Sequence, residues 1–295
     1  MGPAGVTVLS NEEVSLPGGP RLALRRAEGA RRPFLLVHGL ASNALLWEGV
    51  AARLADAGHE VVAVDLRGHG RSEQVADGYT TEQCAADLAA VCQQLDLVGA
   101  RAPVAAGQSW GGNVVVELAA RHRSVAALAL VDGGWIMLAE RFPTLDDCWA
   151  ALAPPEFDHL TLDELAAQIP RRHPGWPVEG LAGTLGNFVE RPDGTVAARL
   201  TREHHRQIVH SLYVGDPRSL YPHIQVPVLL LPAMSADADE FRRTPVQTAL
   251  DLLPDATVEW YAGADHDLHA EQPDRLTLDL LGLAERVDQR SGDRP

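Results

Sequence analysis

Lysine is absent from the 295-residue chain: its 25 cationic side chains are all arginine, set against 40 aspartates and glutamates, for a formal net charge of −15. Without lysine there is no side-chain amine for Schiff-base catalysis. Without a basic stripe there is nothing to hold a phosphate backbone, so nucleic acid is not an expected partner. Cysteine is scarce as well. Cys84, Cys92 and Cys148 are odd in number and show no C-x-x-C spacing. That argues against a disulfide framework or a thiolate metal site and points to a reducing, cytoplasmic setting. No apolar run approaches membrane-spanning length, and MGPAGVTVLSNEEV at the start has no cationic segment leading into an apolar core. The chain is therefore expected to be soluble, with no membrane partner.

What is present is a composition 46% hydrophobic, enough to bury a large core in one or two domains. Apolar runs of strand length alternate with segments of helical period, the pattern of an α/β fold with a mostly parallel sheet covered on both faces. Short runs at Val6–Leu9 and Arg21–Arg25, split by LPGGP, predict an opening hairpin. PFLLVHG then reads as a strand, ALLWEGVAARLADAG as a helix closed by Gly58, and EVVAVDLRGHG as a strand running into a glycine-rich loop. TTEQCAADLAAVCQQLDL is the next helix, with Thr81 as its N-cap. Strand Ala102–Ala106, helix Trp110–Arg121 and strand Ala126–Val131 follow.

From 134 to 225 the alternation gives way to short helical patterns separated by proline-rich breaks, and this segment is expected to be an inserted helical cap. The core is expected to comprise 1–133 and 226–288, resuming with PVLLL, a helix near Val246–Leu253, strand TVEWY and a last helix from Pro273 to Glu285. A disordered tail is expected over 289–295.

Three stretches carry chemistry. In GQSWGG, Gly107 and Gly111 leave room two places before and after Ser109. A strand-to-helix turn of that kind pushes the serine hydroxyl out and aims the Trp110 amide at a developing oxyanion. The bland alternative is a glycine-rich turn with a passing serine. In LLVHGLASN a strand ends at His38-Gly39, and the next amide, on Leu40, is positioned as the second oxyanion donor. In GADHDLHAEQP, His266 follows the serine in the order nucleophile, acid, histidine.

Together with DLRGHGRS, these stretches make the chain resemble the capped branch of the α/β-hydrolase superfamily, over about Val6 to Leu283. The resemblance implies a triad with Ser109 as nucleophile and His266 as base, and a helical cap forming the substrate pocket. Two carboxylates compete for the acid. Asp237, in the loop after PVLLL, is near the position most members of the family use and is slightly favoured. Asp132, directly after LALV, is the position some capped members use, and Asp239 is a weaker third. The loop holding Asp237 departs from the family's glycine-acid pattern.

The remaining histidines have plainer roles. His38 is expected to brace the oxyanion loop and His69 to belong to a structural turn. His204, His205 and His210 are expected on the surface of one cap helix, and His269 at the start of the last helix. There is no H-E-x-x-H, and the cap histidines lack a metal pair's i, i+4 spacing, so neither metal nor other cofactor is expected. A serine nucleophile disfavours epoxide hydrolysis and dehalogenation, which use a carboxylate in this fold. The leading expectation is hydrolysis of an ester or lactone of a mainly apolar small molecule through an acyl-enzyme. The alternatives are carbon-carbon cleavage of a diketone-like substrate, and a non-hydrolytic ligand-binding or biosynthetic protein on a hydrolase shell.

Overall fold

The computed structural model describes residues 7–234 and 240–292. Its centre is an eight-stranded sheet. β1 (Ser10–Ser15) and β2 (Arg21–Ala27) pair antiparallel, and β2 pairs antiparallel with β4 (His59–Val64). From β4 onward the order β4, β3 (Arg31–Val37), β5 (Val104–Gln108), β6 (Ala127–Val131), β9 (Val228–Leu231), β11 (Ala256–Val258) is all parallel. The intervening β7 (Phe188–Glu190) and β8 (Val196–Ala198) form a separate antiparallel pair. β10 (Ala233–Met234) pairs in parallel with β12 (Tyr261–Ala262) beyond the end of the main sheet.

The central strands are apolar on both faces because both faces are covered. Successive residues alternate between two cores: Leu35 and Val37 join one, Phe34 and Leu36 the other. On the first face pack α2 (Thr81–Gln94), α3 (Trp110–Glu117) and α8 (Glu240–Leu252), through Leu88, Val114 and Val246 among others. On the second lie α1 (Glu48–Asp56) and α10 (Pro273–Gly292), through Val50, Leu54, Leu276 and Leu280.

Between β6 and β9 the chain forms α4 (Leu145–Leu152), α5 (Leu162–Arg172), α6 (Val178–Leu185) and α7 (Arg202–Val214). α7 turns Ile208, Val209 and Leu212 into the larger core, whereas Leu165 and Ile169 of α5 close a small core of their own with Val196. The remaining short helix is α9 (Leu268–Glu271). Cys84, Cys92 and Cys148 are free and buried. Among the described residues no helix is long and apolar enough to cross a membrane.

Several boundaries differ from expectation. The opening strand is Ser10–Ser15 rather than Val6–Leu9: Leu9, just before it, and Val14 within it are both buried, and Val6 lies outside the described residues. Thr80, not Thr81, caps α2: its hydroxyl accepts the Gln83 N–H at 3.1 Å. TVEWY is split between β11 and β12. The last helix runs to Gly292, past the expected onset of disorder at 289, and 293–295 lie outside the described residues.

Candidate active site

Ser109 stands between the end of β5 and the first residue of α3 with φ 54° and ψ −124°. A side chain is rarely held at positive φ, and here the surroundings impose it. The Ser109 N–H donates to the Val131 carbonyl at 2.9 Å, and its own carbonyl accepts the Gly112 N–H at 2.9 Å. The flanking glycines are steric necessities. A methyl on Gly107 would lie 2.2 Å from the Gly111 carbonyl oxygen, and one on Gly111 would lie 2.5 Å from that of His38. Of five non-glycine residues with positive φ among those described, three are Ala41, Ser109 and Asp132, each at or one residue beyond an expected site residue.

Asp132 follows β6 directly, beside the carbonyl that fixes Ser109. One carboxylate oxygen accepts the Ala233 N–H at 3.0 Å and the other lies 2.5 Å from His266 Nδ1. A carboxylate only accepts, so Nδ1 carries the proton and Nε2 is the basic nitrogen of the neutral ring. The His266 loop is held from two sides. The Gly263 N–H donates to the Met234 carbonyl at 2.7 Å, and Gln108 Nε2 donates to the His266 carbonyl at 3.1 Å. Gln108 also reaches Asp267, whose carboxyl is pushed up by burial. Thus Asp132, the less favoured of the two carboxylates, contacts the His266 ring. Asp237 and Asp239 lie outside the described residues.

The turn at His38-Gly39-Leu40 runs against the serine: a methyl on Gly39 would sit 2.9 Å from Ser109 Cβ. Two imidazoles shape it. His38 Nδ1 donates to the Gly39 carbonyl at 2.7 Å and its Nε2 accepts the Leu66 N–H at 3.0 Å. His69 Nδ1 donates to the Arg67 carbonyl at 3.0 Å and its Nε2 accepts the Ala41 N–H at 3.3 Å. Burial lowers the pKa of both rings, so each is neutral and acts by hydrogen bonding. Leu40 lies between these two anchors, and Trp110, as the first residue of α3, has an N–H with no intrahelical acceptor. The Trp110 indole donates to Thr81 Oγ1 at 3.0 Å, which lies 3.2 Å from Ser211 Oγ on α7.

Gln108 and Asn113 went unweighed in the sequence, although both belong to GQSWGGN. Asn113 Oδ1 accepts the N–H groups of Gly134 and Ile136, and its Nδ2 donates to the Ile136 carbonyl at 2.9 Å, tying α3 to the turn that carries Asp132. Their signal was available: a long amide beside a nucleophile turn is a ready clamp for backbone groups.

The α7 histidines differ from the expected surface role. His205 is buried, and His204 stacks on Tyr79 with ring centroids 4.0 Å apart; only His210 is exposed. The inward stripe of α7 includes position 205, next in register to Ile208, Val209 and Leu212. His269 is buried against Trp47, with 4.7 Å between ring centroids, and burial brings its pKa down to about 3.

Two of the cavities beside these residues border the Asp132–His266 pair or the turn after Leu40. One, of about 190 Å³, is bounded by Asp132, His266, Trp135 and Pro245. The other, of about 430 Å³, begins at Ala41, Ser42 and His69 and extends among α4, α5 and α7.

A model of the family described as "Alpha/beta hydrolase family" matches residues 34–279. The chain is 28% identical over 271 residues to the non-heme haloperoxidase of Rhodococcus erythropolis, spanning 87% of this chain and 93% of that protein. It is 36% identical over 125 residues to a protein of Mycobacterium phage D29, of whose length it covers 44%. Among solved structures, that of E-2-(acetamidomethylene)succinate hydrolase superposes with a TM-score of 0.78 at 23% identity, covering 94% of this chain and 99% of that one. That last likeness is one of fold.

Proposed function

The chain belongs to the alpha/beta hydrolase family, and we propose that it is a serine hydrolase cleaving esters or lactones through an acyl-enzyme. The observation that carries this reading is the 2.5 Å contact between His266 Nδ1 and Asp132, one residue from the carbonyl that holds Ser109 in its turn. In the proposed reaction His266 Nε2 takes the Ser109 proton as Oγ attacks the carbonyl carbon. The Leu40 and Trp110 N–H groups receive the oxyanion. Collapse breaks the bond to the leaving alcohol, which takes the proton from His266. Water then attacks the acyl-enzyme with His266 again as base, releasing the acid and restoring the serine.

Asp132, rather than Asp237, is proposed as the acid. It holds the ring in the tautomer this cycle needs and stabilises the imidazolium. Segment 134–225 is proposed as the substrate-covering cap, and a small molecule as the partner. A reducing, cytoplasmic compartment is part of the same reading, since three buried thiols remain free.

The test is turnover by the wild type and Ser109→Ala on aryl esters, lactones and ring-cleavage diketones. The reading expects hydrolysis of members of the first two groups, lost in the variant. Activity confined to diketones would replace it with carbon-carbon hydrolysis, and no turnover with no covalent labelling would favour a ligand-binding role.

A further inference from the structure

The larger cavity begins at Ala41, one residue beyond the proposed oxyanion donor Leu40. Much of the wall is apolar, with Leu152, Phe157, Leu165 and Ile169 among its side chains. Its charged lining is one-sided: Arg172 and Arg199 contribute, and no aspartate or glutamate does. That is unexpected in a chain with 40 acidic residues and 25 arginines.

Arg199 is held in place by its backbone. Its N–H donates to the Asn187 carbonyl at 2.8 Å, and its carbonyl accepts Gln74 Nε2 at 2.5 Å. Yet its Nε is buried with no hydrogen-bond partner, and so is the hydroxyl of Ser42 in the same wall. Among the described residues neither Arg172 nor Arg199 forms an ion pair. A buried guanidinium donor left unsatisfied is costly unless a ligand completes it. Two of the lining histidines, His205 and His69, do not supply charge. The His205 ring donates to the Leu152 carbonyl and burial brings its pKa down to about 4, while burial holds His69 well below its ordinary value.

We propose that this cavity takes the acyl portion of an anionic substrate: an ester or lactone with an apolar body that ends in a carboxylate, received by Arg199 and, at the exposed end of α5, Arg172. The inference rests on the serine-hydrolase reading for its reaction but not for its binding. A planar carboxylate matches the fork of donors a guanidinium presents, and Ser42 can donate beside it. The apolar wall accounts for the body of the molecule and the two arginines for its end. The protein's overall negative charge works against encounter with such a substrate, so any preference for the anion has to arise locally.

The test compares two aryl esters of equal chain length, 4-nitrophenyl hexanoate and the mono-4-nitrophenyl ester of hexanedioic acid, in the wild type, Arg199→Met, Arg199→Lys and Arg172→Met. The expected result is at least a tenfold higher kcat/KM for the anionic ester in the wild type. Arg199→Met reduces that ratio at least tenfold, chiefly through KM. Arg199→Lys restores part of it, and Arg172→Met, on an exposed position that leaves packing intact, reduces it less.

In parallel, hexanedioate and hexanoate are titrated calorimetrically into Ser109→Ala, where no chemistry is needed. Hexanedioate is expected to bind the more tightly, and to lose that advantage when Arg199→Met is added. Equal binding of the two acids, or a preference for the anion that survives both arginine substitutions, would overturn the proposal. Selective hexanedioate binding without ester turnover would leave the anion site standing and remove the hydrolase reading instead.

Discussion

Around the ends of β5 and β6, five polar side chains near Ser109 are taken up by the protein itself; in the wall of the larger cavity three polar atoms are not. At the first place His38, His69, Gln108, Asn113 and Asp132 each bond to a backbone group or to His266, and three residues are held at positive φ. At the second, Ser42 Oγ, Arg199 Nε and His205 Nε2 are buried without a partner. Strain that persists must be over-determined by its surroundings, and the first region shows how. A buried donor left open in a cavity wall is available to a ligand. The contrast separates the two tasks of an enzyme of this family. On the proposed reading, the reacting groups are those fixed before substrate arrives, and recognition falls to the surface left open.

The contrast is sharpest where a single atom is removed from the fixed region. Ser109→Ala should lower kcat by about a millionfold while the thermal transition stays in place, since the turn rests on glycines and backbone bonds. Steady-state kinetics with a melting curve checks this, and a variant within tenfold of wild type would break the comparison at its centre. Asp132→Asn should cost about 10⁴-fold in kcat by losing the correct His266 tautomer, with a smaller loss for Asp237→Asn. The reverse ranking would move the acid to the loop after β10. Gly111→Val tests rigidity rather than chemistry. A side chain that close to the His38 carbonyl should destabilise the fold by about 3 kcal/mol or more, visible as a lower denaturant midpoint, and an unshifted midpoint would mean the turn is not tightly determined.

The smallest effect concerns His269. Its pKa is about 3 in the folded protein and near 6.5 when unfolded. The unfolded chain therefore binds the proton first as pH falls. The stability this group allows is fully present above pH 6.5 and is lost as pH drops from there toward 3. One such ring contributes a slope of at most about 1.4 kcal/mol per pH unit. Urea unfolding between pH 7 and 5 should show a shallower slope in His269→Leu than in the wild type; equal slopes would mean the ring is protonated in place.

The same contrast explains what was legible in the sequence. Ser109, His266 and the Leu40 turn could be read because their geometry depends on local glycines and strand ends, which leave a mark in neighbouring residues. The parallel sheet was legible for a similar reason: strands buried on both faces are continuous apolar runs. The contact of Asp132 with His266 was not, since it depends on a strand-end turn aiming its carboxylate at a histidine 134 residues away. Nor was the burial of His205, which is set by the rotation of α7 against the core. The open Nε of Arg199 was beyond reach too, because pairing is a property of tertiary neighbours and not of charge counts.

The central claim is that Asp132 and His266 activate Ser109. The most direct measurement is the rate of covalent labelling by a fluorophosphonate, followed by intact mass and peptide mapping, in the wild type, Ser109→Ala and Asp132→Asn. The account predicts one adduct, on the peptide containing Ser109, absent from Ser109→Ala and formed orders of magnitude more slowly in Asp132→Asn. An adduct on another residue, or Asp132→Asn labelled at the wild-type rate, would contradict it.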